Sequence, residues 1–170
     1  MLQLREGEAP AGVQSGVDLV AIARRIEAVA AERGRRLDLD AADRLMTRGH
    51  EDRVERVIGH VVQNALDATD PSGRVWLTLR RISGQASVEV GDTGRGMSPE
   101  FVRTRLFKPF NTTKFTGMGI GAYESFQYVR ELGGSISVDS QPDKGTVMTI
   151  LMPLFESRQV SDLQLQGETT

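Results

Sequence analysis

In the middle of the chain the spacing of the apolar residues changes from a helical to an alternating period. Spacings of three and four predict an amphipathic helix over residues 51–68. Alternation over 75–79 and 86–90 then predicts a β-hairpin that turns at Ser83 and Gly84. The predicted buried face of the helix carries Val54, Val57, Ile58, Val61, Ala65 and Leu66. Such a helix must pack on another apolar surface, and the hairpin supplies one.

The remaining patterns predict three more helices and four short strands. The helices cover residues 18–34, 98–106 and 119–132, and the strands cover residues 36–39, 44–47, 135–140 and 145–152. On the first helix the expected buried face carries Leu19, Ile22, Ile26 and Val29. Elements in this order predict a two-layer α/β sandwich, with helices packed on one face of a mixed sheet.

We expect one domain over residues 18–154, between a linker at residues 1–17 and a flexible polar tail at residues 155–170. The net charge is only −2 and both signs are mixed along the chain, which predicts no nucleic-acid partner. The absence of cysteine excludes disulfides and thiol chemistry. Because no apolar run approaches the ~18 residues of a membrane span, we expect a soluble, cytoplasmic chain without direct membrane contact.

Three polar residues, His60, Asn64 and Asp67, lie at helical spacing beside the apolar face of the long helix. A stripe of this kind is either a solvated helix edge or part of a site. The amide oxygen of Asn64 is a neutral, hard ligand that Mg²⁺ accepts while phosphate and water fill its other positions. Asn64 is therefore a candidate metal ligand.

The segment from Asp92 to Met97 follows a predicted strand directly and reads Asp-Thr-Gly-Arg-Gly-Met. It is either a surface turn or a base-binding loop. An ionised Asp92 can only accept hydrogen bonds, so it would pair with the exocyclic amine of adenine and reject the carbonyl of guanine. Gly94 and Gly96 would let the backbone approach a planar ring, and Met97 would offer an apolar surface to its edge.

A third cluster begins at Phe107 and Phe110 and ends in glycines that open the helix at residue 119. The two aromatic residues are either core residues or the base of a lid. Backbone N–H groups at a helix start bind phosphate oxygens without side chains, which assigns a phosphate-binding role to Gly117, Met118, Gly119, Ile120 and Gly121. Thr112, Thr113 and Lys114 would add hydroxyl and ammonium donors.

A dinucleotide fingerprint also fits these residues on spacing alone, through Gly117, Gly119 and Ala122, with Asp139 about twenty residues on. In dinucleotide-binding proteins the fingerprint directly follows a strand, whereas in this chain the matching residues follow a polar Thr-Thr-Lys loop. No Walker A loop occurs, and two histidines cannot supply a hydrolytic triad.

The ordered segments resemble the N, G1, F and G2 boxes of sensor histidine kinases. They read His60-Val-Val-Gln-Asn-Ala-Leu-Asp-Ala, Asp92-Thr-Gly-Arg-Gly-Met, Phe107-Lys-Pro-Phe-Asn-Thr-Thr-Lys and Gly117-Met-Gly-Ile-Gly. The similarity spans about residues 18–153. Around Gly117 it further resembles kinases of the exosortase/PEP-CTERM system. The wider family, with the ATPase domains of DNA gyrase, Hsp90 and MutL, has the Bergerat fold, in which ATP lies between the sheet edge and a lid.

This resemblance implies that the chain binds ATP and Mg²⁺. Asn64 would ligate the metal, Asp92 would read the adenine amine, and Thr146 would hydrogen-bond near that carboxylate. Asp67 and Ala68 would line the pocket, and the glycines of the G2 box would wrap the triphosphate. Residues 1–17 would then be a linker or the remnant of a preceding dimerisation domain.

Two positions depart from the family pattern. Lys108 stands where many kinases have Glu, and His60 stands where the hydrolysing relatives have a general-base Glu. His60 would polarise a nucleophile, hold a magnesium-bound water or only hydrogen-bond. We take His60 and Lys114 as the candidate catalytic side chains.

The resemblance implies a phosphoacceptor histidine on a separate dimerisation domain and a response regulator downstream. Neither His50 nor His60 lies in an acceptor-like helical hairpin, so we expect no efficient self-phosphorylation of this chain. Two alternatives remain: a stand-alone serine kinase or ATPase of the anti-sigma-factor class, and a nucleotide-binding module without catalysis. The Phe-x-x-Phe segment favours the histidine kinases.

Overall fold

The computed structural model of the chain describes residues 15–104 and 119–155. Within these ranges the chain forms seven strands and four helices. The strands are β1 (Ser15–Asp18), β2 (Asp38–Ala41), β3 (Met46–Gly49), β4 (Val75–Ile82), β5 (Gln85–Asp92), β6 (Ser135–Gln141) and β7 (Gly145–Pro153). The helices are α1 (Leu19–Glu32), α2 (Glu51–Asp67), α3 (Pro99–Thr104) and α4 (Gly119–Glu131).

Five strands form one mixed sheet in the order β2-β4-β5-β7-β6, and β1 pairs with β3 in a separate two-stranded sheet. β2 is parallel to β4, whereas the other neighbours in the large sheet are antiparallel. Alternate strand residues such as Leu77, Val88 and Ile150 are fully buried and share one core with Ile58 of α2 and Val129 of α4. The predicted two-layer α/β sandwich with a mixed sheet is therefore confirmed.

Helix α2 forms where the helical period predicted it, and the six apolar residues expected on its inner face are at most 6% exposed. Glu51 and Asp52 lie in its first turn, where carboxylates interact favourably with the helix dipole. The helix ends at Asp67, and Ala68 follows as its C-cap. Its buried face thus packs on the sheet and carries Asn64 toward the strand ends.

The predicted hairpin is also present and determines where Asp92 lies. Ser83 and Gly84 both have positive φ, 51° and 77°, as a tight two-residue turn between antiparallel strands requires. The register pairs Ile82 with Gln85 at the turn and Val75 with Asp92 at the other end. Asp92 therefore ends the central strand of the sheet.

The N-terminal region differs from the prediction in two respects. Strand β1 begins at Ser15, within the segment predicted to be a linker, because Val17 is buried and pairs with Thr47 of β3. Strands β2 and β3 each begin two residues later than predicted. A single buried valine in a four-residue strand does not produce a readable alternation.

On α1 the residue Val29 was expected to be buried but is 47% exposed. Ala30, which is 4% exposed, continues the buried stripe of Leu19, Ile22 and Ala23 instead. Consecutive helical residues point about 100° apart, so Val29 lies off that stripe. Within residues 15–104 and 119–155, no helix is both long and apolar enough to cross a membrane.

Replacing Tyr128 with Phe should destabilise the protein by about 1–3 kcal/mol, because it removes the partner of a backbone donor. The backbone N–H of His50, at the start of α2, donates to the Tyr128 hydroxyl at 2.9 Å, and the Tyr128 side chain is buried. Urea denaturation measures the loss. In the control Tyr123→Phe the lost hydrogen bond, from Gln127 to the Tyr123 hydroxyl, is exposed, so the change should stay within about 0.5 kcal/mol. Equal losses in the two variants would contradict this interpretation.

Candidate functional site

A cavity of about 270 Å³ lies between α2 and the strand ends of β5 and β7. Its wall combines an apolar surface with a few polar groups, which is typical of small-molecule sites. The apolar part includes Val61, Ala65, Ala68, Val90, Met97, Phe101 and Met148. The polar part includes Asn64, Asp92, Arg95, Ser98 and Thr146, with the backbone of Gly96 between them.

Asp92 is the buried carboxylate of this cavity and is only 6% exposed. Burial raises the pKa of its carboxyl group, whereas the backbone N–H groups of Gly94 and Thr146, the Thr69 hydroxyl and Arg95 lower it. The Gly94 N–H donates to Oδ1 at 2.8 Å. The second carboxylate oxygen has lone pairs that a ligand donor can reach, so Asp92 can select for an N–H group.

The raised pKa of Asp92 predicts a pH-dependent cost to stability. A carboxyl group whose pKa is higher in the folded than in the unfolded protein destabilises the fold once it ionises. This cost is fully present above the folded pKa and disappears as the pH falls below the unfolded value of about 3.9. Asp92→Asn should therefore be more stable than the wild type at pH 7 and lose that advantage by about pH 3. Urea midpoints at the two pH values test this, and a constant difference would contradict it.

Gly94 and Gly96 also have a packing role that was not predicted. A Cβ on Gly94 would overlap the backbone carbonyl of Ala68, and a Cβ on Gly96 would overlap that of Gln141. Gly96 also has a φ of +68°, which favours glycine. These glycines let the loop after β5 pack against the end of α2 and against the β6–β7 turn. Protein backbone already occupies the space into which a Cβ on either glycine would project.

The hydroxyl of Thr146, on β7, lies on the cavity wall, and the hydroxyl of Ser140, on β6, contacts it from behind. The Thr146 Oγ1 lies 2.7 Å from the Ser140 Oγ, and the backbone N–H of Met97 donates to the same Ser140 oxygen at 2.7 Å. Strand pairing places Thr146 opposite Asp92 on one side and Ser140 on the other. Thr146 therefore lies next to the Asp92 carboxylate, where it was predicted.

Asn64 lies on the same cavity wall and is 7% exposed. Among the residues that the structure describes, no group hydrogen-bonds its side-chain amide, so the amide oxygen is available to a ligand. The described ranges contain no group of three His, Asp or Glu side chains that could hold a metal. A magnesium ion at Asn64 would therefore take its other ligands from a bound molecule and water, as this ion commonly does.

The structure does not bring His60 or Asp67 into this cavity. Asp67 is exposed and accepts a hydrogen bond from Gln63 at 2.9 Å. His60 lies one turn before Asn64, where α2 faces α4, and lines a second cavity of about 450 Å³ with Glu124. Its Nε2 is buried and has no hydrogen-bond partner within residues 15–104 and 119–155. Burial lowers the pKa of the imidazole, whereas Glu124 and Asp67 raise it. His60 therefore lines a different cavity from the one that contains Asp92.

The predicted phosphate-binding segment is described only in part. Gly119, Ile120 and Gly121 form the first turn of α4, where unpaired backbone N–H groups are expected. The other predicted ligands of this segment, Thr112, Thr113, Lys114, Gly117 and Met118, lie outside the described residues, as do Phe107, Lys108 and Phe110.

Several wall residues were not predicted, although the sequence pattern contains signals for them. Val61 and Ala65 share a helix face with Asn64, and Met148 shares a strand face with Thr146, since it follows two residues later. Arg95 belongs to the predicted loop but was given no role. Ser140 had no signal of its own, because its position follows from the β6–β7 register.

Comparison with known proteins identifies a family. The family model for histidine kinase-, DNA gyrase B-, and HSP90-like ATPases matches residues 49–156. These residues include α2, the loop after β5 and strand β7, so they contain most of the cavity wall.

Individual relatives are sensor kinases. The chain is 30% identical over 125 residues to the sensor protein DegM from Bacillus sp. (strain B21-2), which covers 74% of this chain and 33% of DegM. Its structure is similar to that of the mycobacterial sensor histidine kinase MprB, at 28% identity and a TM-score of 0.73, covering 84% of this chain and 98% of that one. It also shares the fold of the catalytic domain of histidine kinase ThkA, at 24% identity and a TM-score of 0.72. This match covers 83% of this chain and 97% of the ThkA chain.

The chain spans about a third or less of the length of the curated relatives that it matches first. The solved structures that it matches over nearly their whole length include an isolated histidine kinase catalytic domain. The chain therefore belongs to the histidine kinase-, DNA gyrase B-, and HSP90-like ATPase family, and within it corresponds to the ATP-binding catalytic domain of sensor histidine kinases.

Proposed function

We propose that this chain binds Mg-ATP and donates the γ-phosphate to a histidine on a separate dimerisation domain of the same kinase. The observation that carries the proposal is the buried Asp92 carboxylate, which shares one cavity with the side-chain amide of Asn64. A carboxylate recognises the base, and an amide oxygen positions the metal, so one bound nucleotide would use both.

The cavity suits adenine. Asp92 accepts only hydrogen bonds when ionised, so it pairs with an exocyclic amine and repels a carbonyl at that place. Met97, Phe101 and Met148 offer apolar and aromatic surface to the faces and edges of a flat ring. Adenine nucleotides should therefore bind in preference to guanine nucleotides.

The phosphates would extend from the cavity toward the start of α4. Asn64 would supply one magnesium ligand, and the ion would neutralise charge on the phosphoryl oxygens when bound. The N-terminal turn of α4, at Gly119, Ile120 and Gly121, offers backbone N–H groups for phosphate oxygens. Gly117, Met118, Thr112, Thr113 and Lys114 are proposed as further phosphate contacts, with Lys114 as a candidate catalytic side chain.

The phosphoacceptor should be a histidine of another domain. His50 is the N-cap of α2, with its backbone N–H bound to Tyr128, and His60 faces α4. Neither is presented to the nucleotide cavity. We therefore propose the kinase's own dimerisation domain as the acceptor and a response regulator as the next partner. We also propose that this domain acts in the cytoplasm.

Incubation with radiolabelled γ-phosphate ATP tests the proposed activity. The chain alone should acquire no stoichiometric label, whereas addition of the kinase's dimerisation domain should give acid-labile, base-stable phosphohistidine on that domain. A small serine-bearing antagonist protein serves as the comparison acceptor. Stable label on serine, or phosphohistidine on the isolated chain, would contradict the proposal.

A further inference from the structure

Ser140 connects three segments of the cavity wall through one oxygen atom. Its Oγ accepts a hydrogen bond from the Met97 N–H at 2.7 Å and lies 3.2 Å from the Gly145 carbonyl oxygen and 2.7 Å from the Thr146 Oγ1. Met97 and Thr146 line the cavity, whereas Ser140 stands behind them. Ser140 can therefore act on a ligand only through its neighbours.

The number of protons in this cluster limits the possible arrangements. Ser140 has one hydroxyl proton, which points either at the Gly145 carbonyl or at the Thr146 oxygen. In the first arrangement Thr146 must donate to Ser140, so it presents only lone pairs to the cavity. In the second arrangement Thr146 accepts from Ser140 and keeps its own proton for the cavity. The orientation of one serine hydroxyl therefore decides whether Thr146 offers a donor or an acceptor.

Adenine binding requires the second arrangement, in which Ser140 donates to Thr146. Its exocyclic amine would lie on the Asp92 carboxylate, and the adjacent ring nitrogen, N1, is an acceptor that needs a donor. Thr146 pairs with Asp92 across the two strands, its backbone N–H hydrogen-bonds the Asp92 carboxyl group, and both residues line the same cavity. Donation from Ser140 also polarises the Thr146 hydroxyl and makes it a better donor.

We infer that Ser140 is a positioning residue for adenine recognition: it donates to Thr146 and so directs the Thr146 proton to adenine N1, directly or through one water. This inference rests on the proposed function, because it assumes that adenine occupies the cavity. It adds a selectivity determinant that touches neither the base nor the phosphates. The cluster serves as a hydrogen-bond relay from β6 to the ligand.

Calorimetric titration with ADP and with 1-deaza-ADP, in which C–H replaces N1, tests the relay. The wild type should bind ADP about fivefold more tightly than the analogue, as the loss of one net hydrogen bond implies. In Ser140→Ala the affinity for ADP should fall and the preference should drop below about twofold, because the Thr146 hydroxyl is no longer held. Ser140→Thr, which keeps the hydroxyl, should retain the preference.

Ser140→Cys, which keeps the size but weakens the donor, should also lose the preference, and it replaces the alanine variant if that one does not fold. Ser137→Ala is the matched control, since Ser137 is an exposed serine of the same strand that faces the opposite side. A Ser140→Ala variant that binds ADP more weakly but keeps the wild-type preference would reduce Ser140 to a structural role and overturn the inference. A wild type that binds ADP and 1-deaza-ADP equally tightly would also overturn the inference. If the wild type bound no ADP at all, the proposed function itself would fail.

Discussion

Asp92→Ala should weaken the binding of adenine nucleotides by about 10- to 100-fold and remove the preference over guanine nucleotides. A hydrogen bond to a charged group contributes about 1.5–3 kcal/mol, and here the carboxylate is buried beside an apolar wall. Without it, the amine of adenine would enter the cavity with no acceptor. Isothermal titration calorimetry with a non-hydrolysable ATP analogue measures the loss, and competition with GTP measures the selectivity.

Asp139→Ala is the matched control for Asp92. Asp139 is an exposed aspartate on β6, with its side chain on the outer side of the strand. Its removal changes the net charge by the same amount, so it controls for long-range electrostatic effects on nucleotide affinity. Binding should stay within about twofold of the wild type. Unchanged affinity in Asp92→Ala itself would show that the base binds elsewhere.

Asn64→Ala should abolish most of the magnesium dependence of ATP binding. In the wild type Mg²⁺ should increase the affinity for ATP, because the Asn64 oxygen would help to hold an ion that neutralises phosphate charge. Loss of this ligand should reduce the enhancement by about tenfold or more, in line with the loss of a metal ligand or its supporting group. Titrations with and without Mg²⁺ measure the enhancement, and affinity without Mg²⁺ should change little.

Gln63→Ala controls for the loss of an amide on the same helix. Gln63 is exposed and contacts Asp67 and Arg33 outside the cavity, so its removal should leave the magnesium enhancement intact. Asn64→Asp, which retains an oxygen ligand, should preserve part of the enhancement. Equal loss of ATP affinity with and without Mg²⁺ in Asn64→Ala would show that Asn64 shapes the cavity rather than holding the ion.

The elements that the sequence predicts well are those with long, uninterrupted periods. The buried face of α2 and the β4–β5 hairpin follow from the spacing of their apolar residues, and the turn residues Ser83 and Gly84 set the register. Once that register is known, Asp92 must end the central strand. Strand β1 was missed because its only strong signal is Val17.

Helical spacing alone could not predict which part of the structure each residue of the polar stripe on α2 faces. His60, Asn64 and Asp67 lie near one edge of the helix, but different elements face each turn. Asn64 meets the strand ends, His60 meets α4, and Asp67 reaches solvent. Packing partners separate residues that the period places together, and these partners come from distant parts of the chain.

The glycines and Ser140 show the same limit. Gly94 and Gly96 were identified from their motif, but their packing against the backbone of Ala68 and Gln141 was not predicted. Ser140 contacts Thr146 on the cavity wall because the β6–β7 register places the two residues opposite each other. Both facts depend on which strands and turns meet, which the local sequence does not specify.

A crystal structure of the chain with Mg²⁺ and a non-hydrolysable ATP analogue tests the central claim most directly. The account predicts the adenine amine within about 2.7–3.2 Å of the Asp92 carboxylate and the magnesium ion beside the Asn64 oxygen. Adenine bound instead in the cavity between α2 and α4, beside His60, or adenine with its amine turned away from Asp92, would contradict it.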